Sequence, residues 1–287
     1  MALPLPDWKE KMLTASLIII GLFLVWLYMI APGRRRMPME QFRGNYAHRG
    51  LWNGSIPENS LPAFRRAREY GFGVEMDVHL TSDGETVVIH DDDLKRMCGT
   101  DKKVRECTLP ELRKFTLLDS GACIPTLAEF LETVGEDMPL IVEIKYDPRR
   151  DTICSKTISQ LRGRKGPFCV ESFDPLIVRW FRKNEKKVFR GQLAYGLNVR
   201  GRYPLNIKNV ILSSLAVNVL GRPDFVAFDH QCEQSVPFRM MNALYHPALA
   251  AWTVREEKAM VPEKWDMRIF EGFIPGALSG NEQSHKA

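Results

Sequence analysis

Residues 74–80, VEMDVHL, decide the fold class, because acidic and apolar side chains alternate along them. In a β-strand, residues two apart point to the same face, so Glu75 and Asp77 project together while their apolar neighbours project from the other face. Residues 140–145, LIVEIK, repeat this pattern with a second charged pair. On a barrel strand the apolar face packs against the surrounding helices, which leaves the charged side chains facing the interior. The two stretches therefore predict strands of a barrel with a charged interior.

Beyond residue 44, short β-rich runs alternate with helical patterns, which is typical of βα units around a parallel sheet. Nine such runs compete for the eight places of a TIM-type (βα)8 barrel, so we expect one of the later runs to be an edge or loop piece. Only residues 81–86 separate the second and third runs, too few for a crossover helix, so we expect an irregular barrel there. The runs are NYAHRG, VEMDVHL, TVVIHD, LIVEIK, FCVESF, RGQLAYG, FVAFD, LAAWTV and IFEGFIP.

The chain divides into a short N-terminal segment, a transmembrane helix, a basic linker, the barrel and a polar tail that we expect to be disordered. Within the barrel, residues 92–123 are polar and weakly periodic, which predicts a small insertion after the third strand, lying over the mouth of the barrel. The predicted segments are 1–12, 13–31, 32–44, 45–278 and 279–287, and barrel helices are predicted at 60–70, 126–134 and 175–185.

Residues 13–31 carry no charge and, as a helix, reach the roughly 30 Å of a hydrocarbon core, so they predict a single membrane span. A cleaved signal peptide is the alternative, but its apolar region would be shorter, and Pro32 follows the one plausible cleavage position. Two lysines precede the span and four arginines follow it, which favours a cytoplasmic catalytic domain. The arginines are also candidates for anionic lipid headgroups. The basic residues are Lys9, Lys11, Arg34, Arg35, Arg36 and Arg43.

Composition excludes several classes of protein. The 287 residues, 45% of them hydrophobic, can bury one large core once the span is set aside. Forty basic residues against 35 acidic ones leave a formal charge of +5, which does not indicate a nucleic-acid partner. The six cysteines lack C-x-x-C spacing, so they predict buried thiols rather than a zinc site or a disulfide scaffold. Reduced thiols also favour a cytoplasmic barrel.

Three acidic residues near strand ends form a candidate metal site. Glu75, Asp77 and Glu143 would meet at the C-terminal rim of a barrel, where barrel enzymes carry their active sites. Three inward carboxylates repel one another, and a hard divalent cation, Mg²⁺ or Ca²⁺, relieves that repulsion with oxygen ligands. The alternative is an ion-pair network in which Arg49 and Lys145 neutralise the acids without metal. Taken singly, each charged residue is typical of a solvated rim.

Two histidines suit proton transfer at such a rim. His48 and His90 follow candidate strands, and with an ordinary pKa near 6.5 one imidazole can act as base while the other acts as acid. Arg49 and Lys145 would hold a negative phosphate. His79 is a weaker candidate because it lies farther along its strand. The remaining candidates, His230 and His246, are interpreted as ordinary surface or core histidines.

With these residues identified, the chain resembles the glycerophosphodiester phosphodiesterase family. The matching motifs occur in the family's order and cover nearly all of the barrel region. They are AHRG (47–50), PENSLPAF (57–64), VEMDVHLTSDG (74–84), VVIHDDDLKR (87–96), IPTLAEFL (124–131), VEIK (142–145), ESF (171–173) and WTV (252–254).

The resemblance implies a TIM barrel with a small insertion and metal-dependent hydrolysis of glycerophosphodiesters to glycerol phosphate and an alcohol. It assigns one divalent cation to the three acids, acid–base roles to His48 and His90, and phosphate contact to Arg49 and Lys145. In this family a glycerol hydroxyl rather than water can attack phosphorus first, and the sequence leaves both routes open. Trp252 is a candidate apolar wall for the substrate, with a packed core indole as the alternative.

Departures from the family pattern occur near the C-terminus. Arg255 replaces the family's usual asparagine after WTV, and the final motif FEGFIPG has Ile274 and Pro275 where the family has an aspartate. We expect activity to survive, because neither position belongs to the predicted metal or acid–base set, and substrate choice to be affected.

Two rival functions remain open at this stage. The first is a lysophospholipase D or sphingomyelinase-D-like activity on lipid phosphodiesters, because the anchor and its arginines would hold the barrel mouth near headgroups. The second is a catalytically silent, membrane-tethered module that binds glycerophosphodiesters. The expected partner is thus a small glycerophosphodiester or a lysophospholipid headgroup at a membrane, and the oligomeric state is open.

Overall fold

The structure is a computed structural model that describes residues 7–118, 120–197, 205–260 and 263–276. In these ranges the β-strands are β1 Gly44–His48, β2 Gly73–Leu80, β3 Thr86–Val88, β4 Leu140–Ile144, β5 Phe168–Ser172, β6 Phe189–Ala194, β7 Phe225–Asp229, β8 Ala248–Val254 and β9 Met267–Phe270. The α-helices are α1 Asp7–Ile30, α2 Met39–Phe42, α3 Leu61–Glu69, α4 Lys95–Cys98, α5 Leu109–Leu112, α6 Leu127–Val134, α7 Arg150–Leu161, α8 Pro175–Asn184, α9 Ile207–Ser213, α10 Asn218–Gly221 and α11 Val236–Tyr245.

Eight parallel strands close into a barrel in the order β1, β2, β4, β5, β6, β7, β8, β9, and β9 pairs with β1. The predicted TIM-type barrel is therefore confirmed. Strand β3 lies outside the barrel and pairs antiparallel with β2. The expectation that a later run would be the extra piece was wrong. The loop between β2 and β3 is too short to cross the sheet, so the chain turns back as a hairpin.

Apolar side chains form a layer between strands and helices and a second layer inside the barrel. The short helix α2 lies at the base of the barrel, where the strands begin. Its Phe42 packs edge-on against Phe189, and its carbonyl accepts a 2.7 Å hydrogen bond from the Tyr46 hydroxyl. Side chains therefore fill the base of the barrel.

The predicted barrel helices form close to their expected bounds, and each begins at a capping residue. Ser60 accepts from the amide of Ala63 at the start of α3. Thr126 and Glu129 form a reciprocal capping box at the start of α6. Asp174 caps α8. These local signals are strong because the side-chain oxygen satisfies an otherwise unpaired backbone amide.

The segment between β3 and α6 has its own small apolar core, despite its polar sequence. A cluster separate from the two barrel layers is formed by Val87, Ile89, Leu94, Met97, Val104, Cys107, Leu112, Leu117 and Ile124. The segment contains α4, α5 and a turn of 3-10 helix at Val104–Glu106. It is a packed cap beside β2 rather than an open loop.

Helix α1 is long and apolar enough to cross a membrane. Its side chains are exposed as far as residue 25, whereas its last residues pack on the barrel. The Trp26 indole donates to the Ser214 carbonyl at 3.2 Å, and the Asn218 amide donates to the Ile30 carbonyl at 2.9 Å. The C-terminal end of α1 is thus anchored beside α9 and α10. The predicted N-terminal segment lies partly, and the predicted tail wholly, outside the described residues.

Two arginines of the linker after α1 bind the base of the barrel. Arg35 pairs with Asp224 and donates to the carbonyls of Lys186 and Val188, while Arg36 donates to the carbonyl of His246. Each of these partners lies within three residues of the start of a barrel strand. Arg35 and Arg36 therefore lie at the end of the barrel opposite the rim.

Candidate active site

All seven predicted polar site residues converge at the C-terminal rim of the barrel. In the strand register, His48 of β1 lies beside Glu75 of β2, and Asp77 lies beside Glu143 of β4. A cavity of about 300 Å³ opens between these strand ends. It is lined by residues from eight strands or their loops: His48, Arg49, Glu75, His90, Glu143, Glu171, Phe173, Leu193, Trp252, Thr253, Arg255 and Ile269.

The three predicted metal ligands form one compact cluster. Oxygen atoms of Glu75, Asp77 and Glu143 lie within 4.8 Å of one another, and all three side chains are buried. Burial and the neighbouring carboxylates raise the pKa of Glu75 well above its ordinary value, and burial raises that of Glu143. These shifts show that the protein alone does not fully compensate the negative charge.

The predicted cations do pair with the acids. Lys145 Nζ lies 2.7 Å from both an Asp77 oxygen and a Glu143 oxygen, and Arg49 Nε lies 3.5 Å from Asp77. Although burial opposes ionisation, Lys145, His90 and Arg49 hold the pKa of Asp77 well below its ordinary value. Asp77 and Glu143 in turn raise the pKa of Lys145, against the effect of burial. The ion-pair alternative is thus partly realised.

A fourth carboxylate makes the ion pairs insufficient. Glu171 of β5 lies beside Glu143 in the register and is buried, and both burial and Glu143 raise its pKa well above the ordinary value. Four acids therefore face Arg49 and Lys145, which leaves two negative charges uncompensated. Glu75 Oε1 and Glu171 Oε2 are also buried without a hydrogen bond. One divalent cation matches both the surplus charge and the unpaired oxygens.

His48 is oriented by an acid from the last strand. Its Nδ1 lies 2.5 Å from Glu271 Oε2, whose other oxygen pairs with Arg255 at 2.6 Å. Its Nε2 points toward the acid cluster, 3.9 Å from Glu75. Burial and Arg49 lower the pKa of His48, and the Glu271 carboxylate partly offsets this. Burial alone would raise the pKa of Glu271, but the contact with His48 lowers that pKa to about 2.

His90 is oriented in the same way by its sequence neighbour. Its Nδ1 lies 2.7 Å from Asp91 Oδ1, and Arg96 binds the second Asp91 oxygen at 2.6 Å. Arg96 also binds Glu58 at 2.6 Å, and Glu58 accepts from Arg49 at 2.8 Å. A continuous chain of charged contacts therefore links His90 to Arg49.

A tight turn after β1 positions the first half of the site. Arg49 adopts φ 58° and Gly50 φ 82°, and a Cβ on Gly50 would lie 2.9 Å from Ala63. The turn lets the amide of Arg49 donate to Glu75 Oε2 at 3.1 Å. The Asn59 side chain donates to Asp77 at 2.7 Å, so backbone and amide groups hold two of the acids in place.

Trp252 forms part of the cavity wall and also packs against a neighbour. Its ring lies edge-on to Phe173 with centroids 5.4 Å apart, and its indole nitrogen is buried without a hydrogen bond. Contact of Trp252 with a substrate stays a prediction.

Several site residues were missed by the sequence analysis: Glu58, Asn59, Asp91, Arg96, Glu171, Arg255 and Glu271. Most lie inside motifs that carried the resemblance, so the motifs were the available signal. Glu271 lies in the last candidate run, IFEGFIP, but only closure of the barrel brings it to His48. His79, His230 and His246 are not part of the acid cluster, although the His79 ring contacts the carbonyl of His90 at 3.1 Å.

Comparison with known proteins places this site in a family. The model of the glycerophosphoryl diester phosphodiesterase family matches residues 48–270. The chain belongs to that family. The match covers the whole set of site residues from His48 through Trp252 and stops one residue before Glu271.

Curated relatives align over part of this chain. The glycerophosphodiester phosphodiesterase of Caldanaerobacter subterraneus subsp. tengcongensis is 42% identical over 107 residues, which is 34% of this chain and 44% of that protein. Glycerophosphodiester phosphodiesterase 1 of Mus musculus is 28% identical over 190 residues, 61% of this chain and 56% of that protein. The chain therefore spans about half the length of the curated relatives that it matches.

Solved structures share the whole barrel. A phosphodiesterase of Oleispira antarctica, in complex with the product sn-glycerol-3-phosphate, superposes with a TM-score of 0.63 at 22% identity and covers 80% of this chain and 93% of its own. The glycerophosphodiester phosphodiesterase of Thermotoga maritima gives a TM-score of 0.59 at 28% identity, covering 79% and 93%. At these identities the first comparison supports the fold alone.

Proposed function

We propose that this chain hydrolyses glycerophosphodiesters to glycerol phosphate and an alcohol with the help of one divalent cation. The observation that carries the proposal is the convergence of three buried carboxylates with two imidazoles, each held at Nδ1 by its own carboxylate. The family is divalent-metal dependent, and Glu75, Asp77 and Glu143 would hold Mg²⁺ or Ca²⁺. When bound, that cation polarises the phosphoryl oxygens.

The two imidazoles have different roles in this proposal. His48 is the base, because the contact with Glu271 keeps a proton on Nδ1 and leaves Nε2 free to accept one from the attacking oxygen. His90 is the acid, because Asp91, held in turn by Arg96, stabilises an imidazolium that donates to the leaving alcohol. Arg49 and Lys145 contact the phosphate. A water or a glycerol hydroxyl supplies the attacking oxygen.

Alanine at either histidine tests these roles. We expect His48→Ala and His90→Ala each to lower turnover of glycerophosphocholine by about two to four orders of magnitude, the usual contribution of a general acid or base. His246→Asn is the matched control, because His246 lies at the base with φ 46°, which asparagine tolerates. Unchanged turnover in both alanine variants would refute the roles, and absence of turnover in the unmodified chain would favour the silent binding module.

We also propose that α1 anchors the barrel to a membrane as a single span with the barrel in the cytoplasm. Its exposed apolar side chains and the excess of arginines after it support this orientation. We expect the full chain to stay in the membrane after carbonate extraction and to keep its N-terminus. Replacing Ile19 with arginine should release it, because a charge at mid-span costs about 2.5–3.5 kcal/mol. A chain shortened near residue 31 would instead identify a signal peptide.

A further inference from the structure

A basic cavity lies where the end of α1 meets the base of the barrel, at the end opposite the rim. Its volume is about 670 Å³, within the range of small-molecule sites. Among the described residues that line it, Asp224 is the one acid. Six of them are arginines, which leaves an excess of five positive charges: Arg34, Arg35, Arg36, Arg182, Arg190 and Arg222. A neighbouring cavity of about 530 Å³ extends this basic surface with Arg179, Lys183 and Lys186.

Asp224 does not neutralise this cavity. It is buried and is shared by two of the arginines, Arg35 and Arg190. Burial lowers the pKa of Arg190, and the charges of Arg35 and Arg182 lower it further, although Asp224 opposes them. The arginines of the cavity therefore repel one another, and a bound anion would relieve that repulsion.

The other four arginines have no carboxylate partner among the residues that the structure describes. Three of them donate from Nη1 to backbone carbonyls: Arg36 to His246, Arg182 to Val219 and Leu220, and Arg222 to Tyr28 and Ala31. A carbonyl holds the guanidinium in place but does not neutralise its charge. A guanidinium has further N–H groups on Nε and Nη2, and their planar fork matches the oxygens of a phosphate.

The end of α1 forms one side of this cavity. Tyr28 and Ala31 line it, and the Arg222 guanidinium lies 4.4 Å from the centroid of the Tyr28 ring. Tyr245, another lining residue, donates from its hydroxyl to the Leu27 carbonyl at 2.8 Å. In the proposed membrane span these residues lie where the helix leaves the hydrocarbon core. The cavity is therefore at the level of the lipid headgroups.

We infer that this cavity binds the phosphate group of an anionic phospholipid, held among Arg34, Arg182 and Arg222 beside the end of α1. The position of the membrane in this inference rests on the proposed span. Because the cavity lies at the end of the barrel opposite the active site, the lipid is a bound ligand and not a substrate. Anionic lipids of the cytoplasmic leaflet attract such a basic surface. The bound lipid would hold the base of the barrel against the membrane and leave the rim facing away from it.

Lipid binding to the full chain in an uncharged detergent tests this site. Dioctanoyl phosphatidylglycerol is the anionic probe, and dioctanoyl phosphatidylcholine, with the same acyl chains, is the zwitterionic one. Titrating each lipid while the Tm is followed gives an apparent Kd, because a ligand of the native state raises the Tm. We expect the anionic lipid to bind at least about tenfold more tightly, since the arginines repel the choline cation.

Two exposed arginines can be changed without touching the ion pairs of Asp224. Arg34→Gln combined with Arg182→Gln should raise the Kd of the anionic lipid by about thirtyfold, since each arginine near an anionic surface contributes about fivefold. The lipid-free Tm and the turnover of glycerophosphocholine should stay close to those of the unmodified chain. Arg34→Lys with Arg182→Lys keeps both charges and should retain most of the affinity. Arg105→Gln is the matched control, because Arg105 is exposed and lines neither basic cavity.

Several results would overturn the inference. They are no rise in Tm with either lipid, equal affinities for the two lipids, an unchanged Kd in the double glutamine variant, and a loss as large in the lysine variant or in Arg105→Gln. Inorganic phosphate is the last probe. If it bound as tightly as the anionic lipid, with the same loss in the glutamine variant, the site would take free phosphate and the assignment to a lipid would be wrong. The test in detergent does not require α1 to cross a membrane, so its failure is distinguishable from failure of the carbonate extraction.

Discussion

The contact between Glu271 and His48 gives His48, the proposed base, both its orientation and part of its proton affinity. The carboxylate accepts from Nδ1 and so selects the tautomer whose Nε2 faces the acid cluster. It also raises the pKa of His48 against the effects of burial and Arg49. The pKa of His48 therefore depends on opposed effects. The effect of the carboxylate can be removed by replacing Glu271 with glutamine, which has nearly the same shape.

Glu271→Gln should shift the pH dependence of the reaction toward acid. A protonated His48 cannot accept a proton, so kcat/KM falls as the pH drops through the pKa of this residue. Without the carboxylate that pKa is lower still, and the fall begins at a lower pH. The weaker base should also reduce the plateau by about tenfold, a part of the usual effect of a general base. A pH–rate profile measures both changes.

The opposite shift, toward alkaline pH, would contradict this assignment of His48 as the base. Glu69→Gln is a suitable control, because Glu69 is exposed at the end of α3 and does not line the site cavity, and its profile should match that of the unmodified protein.

For single residues, the sequence predicts which side chains at a strand end share a face. It does not predict which side chains from distant parts of the chain meet when the barrel closes. Glu75 and Asp77 could be recognised because strand periodicity puts them on one face. Glu271 could not, because it meets His48 only when β9 pairs with β1, with Phe270 beside Ala47. Ile274 and Pro275 stand where the family has an aspartate. An acid is nevertheless present nearby, because Glu271, which the sequence analysis did not assign to the site, contacts His48.

Among the elements, local capping signals predicted where helices begin more reliably than the number of β-rich runs predicted which strands form the barrel. Helices α3, α6 and α8 begin within one residue of their predicted starts because each first turn is fixed by a local capping hydrogen bond. Strand β3 had the same composition as a barrel strand, and only the length of its preceding loop excluded it from the barrel. A strand's place in a sheet depends on the path of the connection more than on its own residues.

The capping box of α6 should therefore have a measurable effect on stability. Thr126→Ala removes the oxygen that accepts from the Glu129 amide and should lower the free energy of unfolding by about 1 kcal/mol. Thr126→Ser keeps that oxygen and should cost much less. Urea denaturation of the two variants under identical conditions compares them. Equal destabilisation by alanine and serine would show that the methyl group, not the cap, matters.

For the whole molecule, the sequence predicted a closed barrel joined to an apolar helix but not how the two meet. The contacts of Trp26 and Ile30 with the barrel depend on residues almost 190 positions away. Hydrophobic periodicity reports which face of an element is buried, but it does not identify the partner. The docking of α1 beside α9 is therefore information that only the folded chain provides.

The uncompensated charge inside the barrel should couple metal binding to the stability of the whole domain. If a divalent cation neutralises the two surplus charges, a cation at one hundred times its Kd stabilises the native state by about 2.7 kcal/mol. For a domain of this size that corresponds to a rise in Tm of roughly 5–10 °C. Chelation by EDTA should therefore lower the Tm by that amount, and added Mg²⁺ or Ca²⁺ should restore it.

Glu143→Gln distinguishes this coupling from the ion-pair alternative. The substitution removes one ligand charge and should reduce the difference in Tm between metal-loaded and chelated protein, while Glu132→Gln, outside the site, should leave it unchanged. A network held by Arg49 and Lys145 alone is indifferent to chelators, so an unchanged Tm in the unmodified protein at saturating cation would exclude the metal. Differential scanning fluorimetry across a range of cation concentrations yields both the shift and its Kd, and the cation that saturates at the lower concentration identifies the preferred ion.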